Sequence, residues 1–138
     1  MKKCLNLSQV SFVALIAVSL LFSITATAQA ANISVETASI CRNVVDRAPV
    51  DEASSFPVSV GRLYCFTKIV GAETPTQVTH VWYFGDVERA RVNLSIGGAS
   101  WRTYSSKVIQ EHEIGDWRVD VLDASGTVKA TLIFTITQ

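Results

Sequence analysis

Methionine occurs once in this 138-residue chain, histidine twice, and proline and cysteine three times each. Each scarcity removes a class of chemistry. Two histidines, His80 and His112, and no C-x-x-C pair leave no spacing that asks for zinc, which takes three or four N, S or O ligands. Lys plus Arg and Asp plus Glu balance at 12 each, so no net charge draws the chain to nucleic acid or an anionic membrane. The one glycine pair, Gly97-Gly98, lacks the helix and spaced lysine of a phosphate loop. Ser105 or Ser106, His112 and Asp116 have the residue types of a hydrolytic triad. Neither serine sits in a nucleophile-elbow glycine pattern. The sequence therefore names no catalytic residue, no metal ligand and no cofactor.

Long apolar runs are also scarce. The longest, Val10–Phe22, is apolar but for two serines; it follows Lys2-Lys3 and precedes Ala28-Gln29-Ala30. A positive start, a 13-residue apolar stretch and an A-x-A ending read as a cleavable signal peptide, residues 1–30. A membrane span needs about 20 apolar residues, and Cys4 precedes the run, where no lipid anchor would attach. The expectation is an exported product, periplasmic or secreted, without stable membrane insertion, folding as one domain over residues 31–138. About 108 residues supply one hydrophobic core.

Cys41 and Cys65 are the two cysteines after the leader. An even count in an oxidising compartment predicts a Cys41–Cys65 disulfide, worth about 3.5 kcal/mol in the chain-entropy model.

Leucine appears four times after residue 30, whereas Val, Ile and Thr together supply 33 residues. β-branched side chains favour pleated strands, and no 3.6-residue stripe runs through the chain. Seven strand-like segments emerge: 33–44, 62–70, 77–84, 87–96, 101–109, 117–122 and 128–137, with 47–61 read as a long loop. The last two alternate most regularly, with Trp117, Val119 and Val121 facing Val128, Ala130, Leu132, Phe134 and Ile136. The fold expected is all-β, an immunoglobulin-like sandwich of about seven antiparallel strands, with a partly open barrel as the alternative. Both cysteines fall in the first two strands, unlike the usual immunoglobulin bridge.

A tight turn at Gly85-Asp86 predicts a register in which Tyr83 faces Glu88 and Trp82 faces Arg89. That register puts Thr79, Val81, Ala90 and Val92 on a core side, and His80, Trp82, Arg89, Arg91 and Asn93 on the other. If strand 101–109 continues the meander, Arg102, Tyr104 and Ser106 extend the second side, while Trp101 and Lys107 point inward and Lys107 has to snorkel; the alternative course for this strand is to cross to the other sheet. Such a face would stack on flat ligands and bind acidic groups. The opposing interpretation makes Trp82 a core tryptophan and His80 a partly buried, satisfied histidine.

Taken together, Cys41-Arg42, Gly61-Arg62-Leu63-Tyr64-Cys65-Phe66, His80-Val81-Trp82-Tyr83, Gly97-Gly98, Trp101-Arg102-Thr103, Ser105-Ser106-Lys107 and Gly115-Asp116-Trp117-Arg118-Val119 resemble a bacterial domain-of-unknown-function family, number 2914. The resemblance spans nearly all of 41–136. It implies a domain outside the cytoplasm, behind a signal peptide or on a membrane protein, with no established activity. His80, Trp82, Trp101, Arg102, Ser106 and Lys107 hold the family's most recognisable positions. The expected function is a non-catalytic exported binding module for a protein, peptide or glycan partner, through His80, Trp82, Arg89, Arg91, Arg102, Tyr104, Ser106 and Lys107. The alternative is a small exported hydrolase or metal-dependent enzyme using His80 or His112.

Overall fold

The β-branched segments form strands, and every sheet buries one face against another. In the computed structural model, which describes residues 32–138, these are β1 (Ser34–Val45), β2 (Ala48–Glu52), β3 (Ser55–Pro57), β4 (Arg62–Val70), β5 (Thr76–Phe84), β6 (Val87–Ile96), β7 (Ser100–Val108), β8 (Gly115–Leu122) and β9 (Val128–Thr137). The first sheet runs β2-β1-β4-β7 and the second β3-β9-β8-β5-β6. Neighbours are antiparallel except β3, which runs parallel to β9. The fold is all-β, with two sheets in a sandwich-like arrangement. The expected leader and its cut lie outside the described residues. No helix among the described residues is long and apolar enough to cross a membrane.

The core lies between the sheets. Its larger part gathers Leu63 and Cys65 from β4, Trp82 from β5, Trp117 and Val119 from β8, and Phe134 and Ile136 from β9. Trp117 stacks on Phe134 at 5.9 Å between centroids, and Trp82 meets Phe134 edge-on at 6.2 Å. A smaller cluster of Ile33, Ile69, Val78, Ile96 and Val121 closes the other end.

Three expectations need correction. Residues 47–61 are not one long loop: they hold β2, β3 and a 3-10 turn at Val58–Val60. Pro49 and the acidic residues hid β2, which is an edge strand, where proline and charge are tolerated. The meander that would extend β5–β6 into β7 does not form: β7 takes the alternative course, crosses to the other sheet and pairs along its whole length with β4.

The third correction is the disulfide. Cys41 and Cys65 are both free and buried. In the β1–β4 ladder Ile40 lies opposite Cys65, and Cys41 opposite Tyr64. Opposed residues share a face and successive residues alternate. Cys65 therefore enters the core, while Cys41 projects from the other face, its thiol donating to the Tyr64 carbonyl at 3.8 Å. Thiols on opposite faces of a sheet cannot be bridged without moving backbone.

The β1–β4 ladder ends at Cys41, beyond which β1 pairs only with β2. The hairpin they form turns at Asp46 and Arg47, with φ of 50° and 61°. Its tip lines cavities together with outward-facing residues of β4 and β7, so it overhangs the outer face of the first sheet.

Candidate functional site

His80 and Trp82 are completely buried. The expected register holds next to the turn, where Phe84 faces Val87 and Tyr83 faces Glu88, and then breaks: Trp82 faces Ala90 and His80 faces Val92. Arg89 is the extra residue of a β-bulge, which exchanges the faces of everything beyond it. The grouping of His80, Trp82, Arg89 and Arg91 on one exposed face is therefore corrected: His80 and Trp82 lie inward, and the two arginines have separate surroundings.

Inside, His80 and Trp82 converge on Ser105, which β7 brings over from the facing sheet. The indole N–H of Trp82 donates to Ser105 Oγ at 3.0 Å, and His80 Nδ1 lies 2.7 Å from the same oxygen. On the other side of the ring, Nε2 is 3.2 Å from Thr67 Oγ1, and Thr67 donates to the Thr103 carbonyl at 3.4 Å. One proton arrangement satisfies every group. Ser105 donates to Nδ1, Nε2–H donates to Thr67, and Thr67 donates to the carbonyl. The opposite tautomer strands the Ser105 hydroxyl proton, so the hydrogen-bond count assigns a neutral Nε2–H imidazole. Burial agrees, pushing the His80 pKa down to about 4. This is a polar clasp joining β4, β5 and β7 across the core.

At one end of the sandwich, Arg89 and Lys107 flank a second buried polar group. The Glu113 carboxylate accepts the Gln110 backbone N–H at 2.9 Å and lies 3.5 Å from Arg89 Nε and 4.0 Å from Lys107 Nζ. Lys107 lies over the Trp117 ring, with its ammonium donating to the Val108 carbonyl. His112 is exposed in the adjoining connector. Among the described residues no three His, Cys, Asp or Glu side chains converge as a metal site.

The outer face of the second sheet is internally paired. Arg91 bonds Glu88 at 2.7 Å; Arg118 lies over Tyr83 and within 3.7 Å of both Asp86 and Asp120. The outer face of the first sheet differs. Register places Arg62, Tyr64, Phe66 and Lys68 of β4 beside Val108, Ser106, Tyr104 and Arg102 of β7. Tyr64 and Tyr104 meet edge-on at 5.9 Å, and Tyr104 is half exposed. Arg62 donates to Ser106 Oγ at 2.8 Å. Lys68 pairs with Glu36 at 2.5 Å, whereas Arg47, Arg62 and Arg102 form no ion pair among the described residues.

Above this face the hairpin tip encloses two adjoining cavities. One, about 430 Å³, is lined by Arg47, Lys68, Ser100, Trp101 and Arg102. The other, about 270 Å³, shares Arg47 and Arg102 and reaches Phe66, Tyr104 and Asp46. Trp101 is seated on Gly97, where a Cβ would come within 2.9 Å of the indole.

The alternation of β7 therefore identified Arg102, Tyr104 and Ser106 as sharing a face, and they do. Their partners Arg47, Arg62 and Lys68 were missed, because they come from a hairpin tip and from a strand distant in sequence. Ser105 and Thr67, which hold His80, gave no local signal beyond a hydroxyl inside a strand.

Residues 75–136 match the family described as Protein of unknown function (DUF2914). The match runs from β5 into β9, so it includes His80, Trp82, Ser105, Arg102 and Tyr104, and leaves Thr67, Arg62, Lys68 and the β1–β2 hairpin outside. No curated protein matches the chain.

Proposed function

We propose that this chain is a non-catalytic exported binding module, periplasmic or secreted once residues 1–30 are removed, and that it recognises anionic ligands on the outer face of its first sheet. One observation carries the proposal. Four cations, Arg47, Arg62, Lys68 and Arg102, share a face on which the register also places Glu52 beside Cys41; Glu36 is held by Lys68, Asp46 stands at the hairpin tip, and the three arginines form no ion pair among the described residues. Cations in excess of their counter-charges raise the free energy of the folded state, and an anion relieves that cost on binding. Arg47 adds to the argument. Its left-handed φ of 61° costs a side-chain-bearing residue about 1–2 kcal/mol relative to glycine, and such strain gathers at functional sites.

Strand order supports the finer, immunoglobulin-like assignment. A β1-β4-β7 sheet facing β9-β8-β5-β6, with β3 parallel to the last strand and a buried Trp82 on β5, the strand that follows β4 into the second sheet, fits that pattern. Val119 stands in the core cluster that holds Cys65 and Trp82, which fits a domain of this kind built without its inter-sheet bridge. The Ser105–His80 contact has Thr67, not a carboxylate, on the far imidazole nitrogen, and both partners are buried. That favours a structural role over hydrolysis.

Calorimetric titration with polyglutamate, an anionic probe, tests the proposal. The chain should bind it at low salt and bind more weakly at about 0.15 M salt. The double variant Arg47→Gln/Arg102→Gln should lose binding, and Arg91→Gln on the paired opposite face should retain it. Equal losses in both variants, or none in the first, would overturn the assignment.

A further inference from the structure

We infer that the ligand of this face is an acidic saccharide, a chain of hexuronate-type units, and not an acidic peptide; this rests on the reading of the face as an anion-binding surface. The first argument is where the cleft lies. It stands on the outer face of the sheet, over β4 and the edge strand β7 and under the tip of the β1–β2 hairpin. An extended peptide gains affinity chiefly by adding a strand to a free sheet edge, with its main chain continuing the ladder. A ligand beneath the hairpin tip lies against the face of the sheet and not along the free edge of β7, so it is held by side chains and not by an extended ladder.

The second argument is what those side chains are. Arg47 and Arg102 offer planar guanidinium forks that match carboxylates two oxygens at a time. Ser100 lies on the cavity wall and Ser106 beside Arg62, giving hydroxyls that exchange hydrogen bonds with sugar hydroxyls. Tyr104, half exposed and braced edge-on by Tyr64, offers an apolar ring face with a polar tip, the combination that packs on the C–H face of a pyranose while its hydroxyl stays wet. The larger of the two cavities sharing Arg47 and Arg102, about 430 Å³, is within the size range of small-ligand sites. A repeating carboxylate along a saccharide would set one acid between Arg47 and Arg102 and another, farther along the chain, toward Arg62, with a ring on Tyr104 between them.

The test uses the full chain in the processed form its host releases, titrated calorimetrically with three tetramers: tetragalacturonate, neutral maltotetraose and tetraglutamate. Tetragalacturonate should bind, maltotetraose should not, and tetraglutamate should bind at least roughly tenfold more weakly. Arg102→Gln should weaken tetragalacturonate roughly tenfold or more, the worth of a charge-assisted hydrogen-bonded pair. Tyr104→Ala should weaken tetragalacturonate while leaving tetraglutamate unchanged, and thermal melting should verify that both variants stay folded. Tetraglutamate binding equal to or tighter than tetragalacturonate, with dependence on Arg102, would overturn the saccharide assignment and leave the anion-binding face standing. Failure of both acidic tetramers to bind would overturn the two together.

Discussion

Trp82 donates its indole proton to the Ser105 hydroxyl at 3.0 Å, from one sheet to the other through the middle of the core. The contact explains why a serine is buried at that point of β7 and why the tryptophan is unavailable to a ligand. Ser105→Ala strands both the indole N–H and His80 Nδ1. Each buried orphan costs about 1–3 kcal/mol, so the variant should lose about 2–6 kcal/mol in urea unfolding. Ser106→Ala, one residue along on the outer face, should stay within about 1 kcal/mol of the parent. Equal losses for the two serines would refute the clasp.

Acid should loosen the fold through the same histidine. His80 is neutral when buried, its pKa lowered by desolvation from 6.5 to about 4. The unfolded chain therefore takes up the proton first. The His80 contribution is fully present above pH 6.5 and is lost as pH falls through 4, on the order of 3 kcal/mol over that window. His80→Gln should flatten the stability profile between these limits, and an unchanged slope would contradict the assignment.

Both thiols should be free. Burial raises the pKa of Cys65 and of Cys41, which keeps the native thiols protonated and slow to alkylate. In denaturant without reductant both should react fully with iodoacetamide. A product lacking two alkyl groups and two hydrogens would show a bridge that the strand register forbids.

Gly97→Ala should displace Trp101, since its added Cβ would meet the indole at 2.9 Å. Trp82 and Trp117 are buried, so a change at the half-exposed Trp101 should appear as an altered fluorescence quenched readily by iodide. An unaltered quenching profile would mean that the ring is not seated on that glycine.

How far the molecule can be read from its residues depends on how local the deciding interaction is. The β8–β9 pairing was legible because Trp117, Val119 and Val121 alternate without interruption and meet Phe134, Leu132 and Ala130. The β5–β6 faces were not, because the single extra residue, Arg89, reverses parity and carries no sequence signature. Acidic β2 and short β3 lie at sheet edges, where strands need little apolar patterning. At the candidate site, Arg102, Tyr104 and Ser106 were visible as alternate residues of β7. Whether that strand lay beside β6 or β4 was decided by a crossover at Gly97–Ala99, and with it which cations the arginine would join.

The account stands on the outer face of the first sheet being the recognition surface. The most direct measurement is an amide chemical-shift map of the labelled protein titrated with tetragalacturonate at low salt. The predicted result is saturable shifts at Arg47, Arg62, Lys68, Arg102 and Tyr104, with β6 silent. Shifts centred on Arg89 and Arg91, or none that saturate, would contradict it.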